Sequence, residues 1–404
     1  MANVLITPTI IAKEALFQLE NNLVMGNLVH REYKKEFVKV GATVQIRKPV
    51  KFKVHSGADI TTGAINEVKE SYIDFTIDKQ YNVSWQFASD DLTLTIEQYS
   101  ERYIKPAMIV LANQVDAHLC GLYADVWNCA GTAGATPATF AALGSAAQKL
   151  DEFAVPRDER VLVLDPAANW AIADGLKGLY DTQMIREFVK KGRLTQIAGM
   201  DIYMDQNIVK HTHTTLGGTI VTDTVGGVEH ITTLGTDDTC TIHTDGWTGD
   251  LVVGDVFTIA GVNSVNPVSK QDTGSLQQFV VKTAFTGTTD SPIVVSPAIV
   301  TAADPAAAFA PYQTVTAIPD VEAAITMVAS NTSNLAFHKN AFGLVTVPME
   351  LPDGAAFKAR ESHNGLSVRI IKGYDILLDT ETIRIDLLYG VKTIYPELAT
   401  RLLG

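Results

Sequence analysis

Alternating apolar and polar residues mark two consecutive segments in the first quarter of the chain. Apolar side chains occupy every second position in much of Val44–Val54, and the alternation resumes at Ile73 and continues to Phe87. A period of two is typical of β-strands that cover one face. The pattern therefore predicts a hairpin over residues 44–78 with a loose Gly/Thr/Ala tip, whose return strand leaves one sheet and joins another.

Opposite charges on the two strands suggest a register for this hairpin. Arg47 would face Asp78 and Lys51 would face Asp74, and charge pairs of this kind stabilise a ladder. The apolar pairs in the same register are Val50 with Phe75 and Phe52 with Ile73. Because a two-stranded ribbon is only marginally stable alone in water, its apolar face needs a cover. The residues alone leave two covers open, the rest of the same chain or a second copy of it.

Apolar residues at helical spacing predict two helices before the middle of the chain. The first spans residues 8–37, where Pro8 suits an early helical position. The second and longer helix spans residues 95–128. Pro106 lies within it and should kink or restart it, because proline lacks the amide proton that a helix interior needs.

The composition of the remaining chain changes twice. Residues 146–211 combine predicted helices with the short buried strand RVLVLDP, whereas residues 212–310 are dense in Thr, Gly, Val and Asp, with short strands between turn signals. The second composition is typical of a small barrel or sandwich inserted between two α/β stretches. Residues 311–330 are expected to be a return linker with a helix at VEAAITMVA, and long strands follow.

The length and net charge of the chain limit the classes of protein to which it can belong. The chain has 404 residues, enough for two or three domains, and its net charge of −13 argues against a basic surface that neutralises phosphates. Its three cysteines are too few for a disulfide framework, and no segment predicts a membrane span or a secretory signal. We therefore expect a soluble intracellular protein that does not bind nucleic acid through a basic surface.

Few residues suggest catalytic or metal chemistry. His211 and His213 would share one face of a strand, and with His230 or His243 they could bind zinc. No cysteine or aspartate spacing completes such a site, and the aspartates of residues 237–255 lack the spacing of an EF-hand loop. No catalytic, cofactor-binding or metal-binding residue is predicted. A metal-dependent hydrolase with a β-rich accessory domain stays an alternative.

The order of these elements resembles the major capsid proteins of tailed bacteriophages. The segments that carry the resemblance are SDDLT and LANQVDAHLCGLYADVW around the long helix, TQIAGMDIYMDQNIV before the β-rich insertion, GDVFTIAGV within it, and SNLAFHKNAFGLVTVPMEL and LLYGVKTIYPELA after it. The similarity covers nearly the whole chain and points to the coat proteins of short-tailed Salmonella-type phages, which carry an inserted β-barrel. It implies an α+β fold.

The resemblance also implies domain boundaries along the chain. They are an N-terminal arm (1–42), an extended β-hairpin loop (43–88), a peripheral domain with the spine helix (89–145 and 331–351), an axial domain (146–211 and 352–404), an inserted β-barrel domain (212–310) and a return linker with a helix (311–330). Gly63, Gly192 and Gly199 would act as hinges, because glycine tolerates large backbone changes.

The function implied by the resemblance is that of a major capsid protein and not of an enzyme. Hexamers and pentamers would assemble into an icosahedral head in the bacterial cytoplasm, and the virion would enclose packaged double-stranded DNA without sequence-specific binding. A scaffolding protein and a portal would be partners, with no cofactor or membrane involved. The extended loop would cross onto a neighbouring subunit. Its contact candidates are Arg47, Lys51, Phe52, Lys53, Asp74, Phe75 and Asp78.

Two further alternatives stay open. An encapsulin-like nanocompartment shell would share the fold and enclose enzymes, although the β-rich insertion argues against it. A β-rich adhesin would bind glycans through residues 212–310. Some shells of this fold cross-link a hairpin lysine to an asparagine of the next subunit, which is not expected here although Lys51, Lys53, Asn334 and Asn340 are present.

Overall fold

The chain folds into two compact units. The computed structural model describes residues 8–32, 43–54, 58, 70–88, 100–176, 194, 196–213, 221–222, 238–246, 249–287, 291–302, 311–320, 322–355, 357–375 and 380–404. The first unit comprises Met1–Val44, Asp74–Cys120 and Phe342–Lys392, and the second comprises Gln45–Ile73, Gly121–Ala341 and Thr393–Gly404. Within the described ranges, no helix is long and apolar enough to span a membrane.

Helices and strands alternate irregularly along the described chain. The α-helices are α1 (Pro8–Asn22), α2 (Met25–Leu28), α3 (Lys105–Cys120), α4 (Phe140–Glu152) and α5 (Pro166–Leu176). The strands are β1 (Thr43–Arg47), β2 (Tyr72–Thr76), β3 (Lys79–Ala88), β4 (Cys129–Ala130), β5 (Arg160–Leu164), β6 (Gln196–Ile197), β7 (Met200–Met204), β8 (Lys210–His211), β9 (Val221–Thr222), β10 (Cys240–Asp245), β11 (Gly249–Leu251), β12 (Val256–Val265), β13 (Asp272–Val281), β14 (Phe285–Gly287), β15 (Ser291–Ser296), β16 (Ile325–Met327), β17 (Asn331–His338), β18 (Phe342–Thr346), β19 (Phe357–His363), β20 (Leu366–Asp375), β21 (Thr380–Thr393) and β22 (Ala399–Leu403).

Both predicted N-terminal helices exist, but they are shorter than predicted. α1 ends at Asn22, and the part of the predicted helix beyond residue 32 lies outside the described residues. A π-helical turn (Ser100–Ile104) precedes α3, and a 3-10 turn (Gly121–Asp125) follows it. Pro106 is the second residue of α3, which follows directly on the π-helical turn, so the change of helical form occurs where a residue without an amide proton interrupts the helical hydrogen bonds.

The first unit packs α1 and α3 together and carries a five-stranded sheet. The sheet order is β18-β21-β20-β19, and β3 also pairs with β21. α1 contributes a buried stripe that consists of Ala12, Ala15, Leu16 and Leu19. The alternation after Ile73 is divided between two sheets, because β2 belongs to the hairpin and β3 to this sheet. The prediction that the return strand changes sheets is confirmed.

The hairpin of β1 and β2, here called the ribbon, has a different register from the predicted one. The Lys48 amide donates to the Ser71 carbonyl at 2.8 Å, and the hydroxyls of Thr43 and Thr76 lie 3.3 Å apart. The predicted register would have placed Lys48 opposite Ile77 instead of Ser71. The charge pairs that suggested the predicted register are therefore not formed.

The second unit contains a mixed sheet in the order β4-β22-β17-β5-β7-β6, with β8 pairing β17. All five residues of β5 are buried, as expected for a central strand. α4 and α5 cover the sheet through a core that includes Leu143, Leu150 and Ile172. α4 begins where the Thr139 hydroxyl accepts the Ala142 amide at 3.3 Å, which satisfies one of its free N–H groups.

The predicted β-rich insertion is an antiparallel sheet in the order β16-β12-β13-β15-β10-β9. Its core includes Phe257 and Phe279, whose rings lie 5.8 Å apart. The helix predicted at VEAAITMVA is wrong, because Ile325–Met327 is a strand that pairs with β12 and forms the edge of the sheet. An open strand edge offers backbone hydrogen bonds that override a weak helical pattern. Ile325–Met327 therefore extends the inserted sheet beyond its predicted end at residue 310.

The grouping of the C-terminal strands also differs from the predicted domains. Residues 342–392 lie with the spine helix in the first unit, whereas residues 331–341 lie in the second. The predicted domains placed 352–404 with 146–211, and 331–351 with the spine helix. Strand pairing explains the correction, because β21 pairs with β3 along ten consecutive residues, whereas β17 pairs with β5 and β22.

Candidate functional site

The segment that follows β1 of the ribbon carries apolar side chains that its own chain does not cover. Phe52 is 62% exposed and Val54 is 94% exposed. Ile46 and Ile73, which belong to the paired part of the ribbon, are almost fully buried. Of the two covers left open for the apolar face, the chain itself therefore covers the paired part of the ribbon, and the exposed residues lie beyond the end of β1.

The outer charges of the ribbon form surface pairs with local partners. Arg47 pairs with Glu70 at 3.3 Å, and both side chains are more than half exposed. Asp78 lies 3.4 Å from the ammonium of its neighbour Lys79. Arg47 does not face Asp78 as predicted, and exposed pairs of this kind contribute little to stability.

The inner lysines of the same segment contact their own chain. Lys51 Nζ lies 3.1 Å from Glu397, and Lys48 pairs with Asp238. The predicted partner of Lys51, Asp74, is not involved. Burial alone would lower the pKa of Lys51 and raise that of Glu397, but their mutual attraction outweighs burial and shifts both pKa values towards the charged forms. The Lys51 amide also donates to the Tyr312 hydroxyl at 3.5 Å.

Phe75 differs from the other contact candidates because it is fully buried within the first unit. A Cβ placed on Gly390 would lie 3.1 Å from the Phe75 ring and 2.5 Å from the Thr76 carbonyl oxygen. Gly390 thus lets β2 approach β21 closely. Phe75 is a core residue of its own chain, which corrects its prediction as an intersubunit contact; Lys53 is half-exposed and Asp74 is exposed.

The predicted hinges have different outcomes. Gly63 and Gly192 lie outside the described residues. Gly199 and Ala198 have φ angles of +76° and +52° and form the two-residue turn between β6 and β7. Positive φ at both positions is required by a type I′ hairpin turn. Gly199 therefore closes a tight hairpin in place of the predicted hinge.

The two histidines considered for zinc lie in a buried hydrogen-bond cluster of the second unit. His211 Nε2 and His213 Nδ1 lie 2.7 Å and 3.1 Å from the same oxygen of Asp255, whose other oxygen accepts the Val252 amide at 2.8 Å. The Tyr123 hydroxyl lies 2.9 Å from His211 Nδ1. Burial alone would raise the pKa of Asp255, but the His211 hydrogen bond, the Val252 amide and the nearby His213 together lower it.

Arg401 completes this cluster from β22. Its guanidinium lies 5.0 Å from the centre of the Tyr123 ring and donates to the Gly254 carbonyl at 2.8 Å. The cluster links the turn before β12 to the mixed sheet, which is a structural role. In the described part of the chain, no set of three His, Cys, Asp or Glu side chains could hold a metal ion. The geometry gives no support to a hydrolase centre at His211 and His213.

Several interacting residues were not predicted from the sequence. Glu397 and Asp238 pair with two lysines of the segment after β1. Asp255 and Arg401 organise the histidine cluster. Glu397 lies 346 positions from Lys51 in the chain. The sequence holds many carboxylates and no pattern that singles out these.

A comparison with protein-family models matches residues 1–404 to the family described as "P22 coat protein - gene protein 5". No curated protein sequence matches the chain. Among solved structures, the chain is similar to one from Mycobacterium phage Che8, with 13% identity, 94% of this chain and 90% of that chain covered, and a TM-score of 0.46. It is also similar to the capsid of cyanophage P-SCSP1u, with 13% identity, 94% and 87% covered, and a TM-score of 0.46. The CUS-3 coat protein I-domain is 35% identical over 28% of this chain and 97% of that chain, with a TM-score of 0.23.

Proposed function

The chain belongs to the P22 coat protein family and is a major capsid protein of a phage head, and we infer that the exposed segment after β1 forms the contact between neighbouring subunits. The observation that supports the contact is the exposure of Phe52 and Val54 at 62% and 94%. Adjacent exposed apolar side chains are unfavourable in a monomer and mark interaction sites. Burying a phenylalanine or valine side chain contributes about 1.5–3 kcal/mol. Because the contact repeats around a closed shell, modest interfaces add up by mass action.

We further propose what the shell encloses and which proteins take part in its assembly. The shell encloses packaged double-stranded DNA, and a net charge of −13 suits a container that does not condense its contents by charge. A scaffolding protein and a portal take part in assembly in the host cytoplasm. The chain acts as a structural protein of the virion. A nanocompartment shell would contain an enzyme in place of DNA, so cargo analysis of purified particles separates the two.

The test is assembly of a double variant, Phe52→Asp with Val54→Asp. The full-length chain is co-expressed with its scaffolding protein, and particles are measured by sedimentation and negative-stain microscopy. We expect the variant to stay folded but to need at least about tenfold more protein for assembly, since two charges would be buried at each contact. Phe52→Tyr keeps the apolar ring and serves as the matched control. Normal assembly of the aspartate variant would refute the assignment of this segment as a subunit contact.

A further inference from the structure

Strand β3 forms an edge of the five-stranded sheet in the first unit. β3 and β20 pair with the same residues of β21, so they lie on opposite sides of it. Within the described part of the chain, the backbone groups of β3 have no partner on the side away from β21. Alternate residues of an edge strand direct their N–H and C=O groups away from the sheet, so this edge presents unused donors and acceptors.

The open edge of β3 is long and regular. β3 and β21 pair along ten consecutive residues without a register shift, which corresponds to a length of about 33 Å. One face of β3 is turned towards α3, where the Tyr81 hydroxyl lies 3.3 Å from His118 Nε2. The other face is exposed, and its side chains are uncharged. They are Gln80, Asn82, Ser84 and Gln86.

β3 lacks the features that protect edge strands from pairing with other chains. Such strands are commonly very short, carry a proline or a β-bulge, or present charged side chains, lysine above all. The sequence of β3, KQYNVSWQFA, contains no proline, and its single charged residue is Lys79 at the first position. A long, flat and unprotected edge is a template for strand pairing. We therefore expect this edge to be occupied when the protein is assembled.

We propose that β3 binds an extended segment of a neighbouring copy of this chain, which adds a strand to the sheet. The chain is a capsid protein, so other copies surround each copy in the shell. Two copies with a net charge of −13 repel each other, and this favours contacts where acidic groups are missing. β3 has no acidic side chain, and its main-chain groups supply affinity in this mode of binding. The inference goes beyond the contact proposed for Phe52 and Val54.

Hydrogen–deuterium exchange tests whether the edge is occupied. Exchange at each β3 amide is compared between the full-length, unassembled chain and purified particles of the natural chain. We expect every second amide of residues 80–87 to gain at least about 100-fold protection on assembly, because only the outward N–H groups acquire a new acceptor. The intervening amides, which β21 already engages, should change less than about threefold. Equal gains at all positions would indicate general burial and would overturn the proposal.

Photo-crosslinking identifies the occupant. Particles are assembled from equal amounts of isotope-labelled and unlabelled Asn82→Cys chains that carry a short maleimide–diazirine, since the three natural cysteines are buried. We expect crosslinked peptides that combine labelled and unlabelled segments, which only different copies can form. Thr382→Cys is the matched control, because Thr382 pairs with Gln86 on the same face but lies one strand inside the edge. It should give at least about threefold fewer mixed crosslinks, since the added strand would lie about 10 Å from β21 and about 5 Å from β3.

Three further results would each overturn the proposal. The first is that the β3 amides exchange alike in the unassembled chain and in particles. The second is that the outward amides are already protected in the unassembled chain. The third is that Asn82→Cys crosslinks within its own chain or to a different protein, without mixed-isotope products. None of these results depends on how the aspartate variant of Phe52 and Val54 assembles, so the two proposals are tested separately.

Discussion

Asp116 fixes the backbone that follows α1, and its removal should destabilise this part of the first unit. One carboxylate oxygen accepts the Val24 amide and the other accepts the Gly26 amide, both at 2.8 Å, and the residue is 2% exposed. These amides lie at the start of α2, where backbone N–H groups have no partner within the helix. Asp116→Ala removes the acceptor of both donors and leaves the buried Gly26 amide and the partly buried Val24 amide without it.

The size of the destabilisation expected in Asp116→Ala follows from the two lost hydrogen bonds. A hydrogen bond to a charged group contributes about 1.5–3 kcal/mol, and a buried donor without a partner costs about 1–3 kcal/mol. Partial relaxation and water entry reduce the sum, so we expect a loss of about 3 kcal/mol in the local opening free energy. That loss corresponds to faster amide exchange by a factor of roughly 100.

Hydrogen–deuterium exchange of the full-length, unassembled chain measures this effect locally. A local measurement is needed because a chain with two units is not expected to unfold in a single step. The matched control is Asp353→Ala, whose fully exposed carboxylate makes only a 3.8 Å contact with Lys358 and should change stability by less than about 0.5 kcal/mol. If exchange at Gly26 in Asp116→Ala stayed within threefold of the natural chain, the anchoring role would be wrong.

Two further predictions concern close packing and a buried charge. Gly390→Ala should lower the opening free energy of the first unit by about 1–3 kcal/mol in hydrogen–deuterium exchange, because its Cβ would lie 2.5 Å from the Thr76 carbonyl oxygen, whereas Gly373→Ala, with open space around it, should be neutral. Lys270→Met should stabilise the chain at pH 7 by about 1 kcal/mol after allowance for solvent screening. The pKa of Lys270 falls on folding from 10.5 to about 8, so its charge destabilises the fold below pH 8, and the gain should disappear as the pH approaches 10.5. If Lys270→Met and the natural chain were equally stable in urea at pH 7, the second prediction would be contradicted.

The alternation of apolar residues predicted the strands of the ribbon but could not determine their register. A register shift by an even number of residues leaves every side chain on the same face. Pairing Lys48 with Ser71 instead of Ile77 is such a shift, so the apolar pattern fits both registers equally. Only the charges distinguished them, and Arg47 found an acidic partner, Glu70, in the actual register as well.

The contacts of the candidate site join residues that are far apart in the chain, so they could not be predicted from the sequence. The pair of Lys51 with Glu397 depends on how distant strands are brought together, which no local pattern encodes. The short strand β16 was missed for a related reason, since a three-residue edge strand is defined by its neighbour β12 more than by its own residues. The order of elements was predictable because each long element carries its own periodicity.

The pairing of β3 with β21 has a mechanical consequence. β2 continues through two residues into β3, which is joined to β21 by a ladder of ten residue pairs. Ladder hydrogen bonds run perpendicular to the strands, so tension along the strand direction loads them together in shear and not one after another. A force that pulls on the ribbon along the strand direction is therefore resisted by the whole ladder at once. The first unit can bear such a force without breaking its ladder hydrogen bonds one after another.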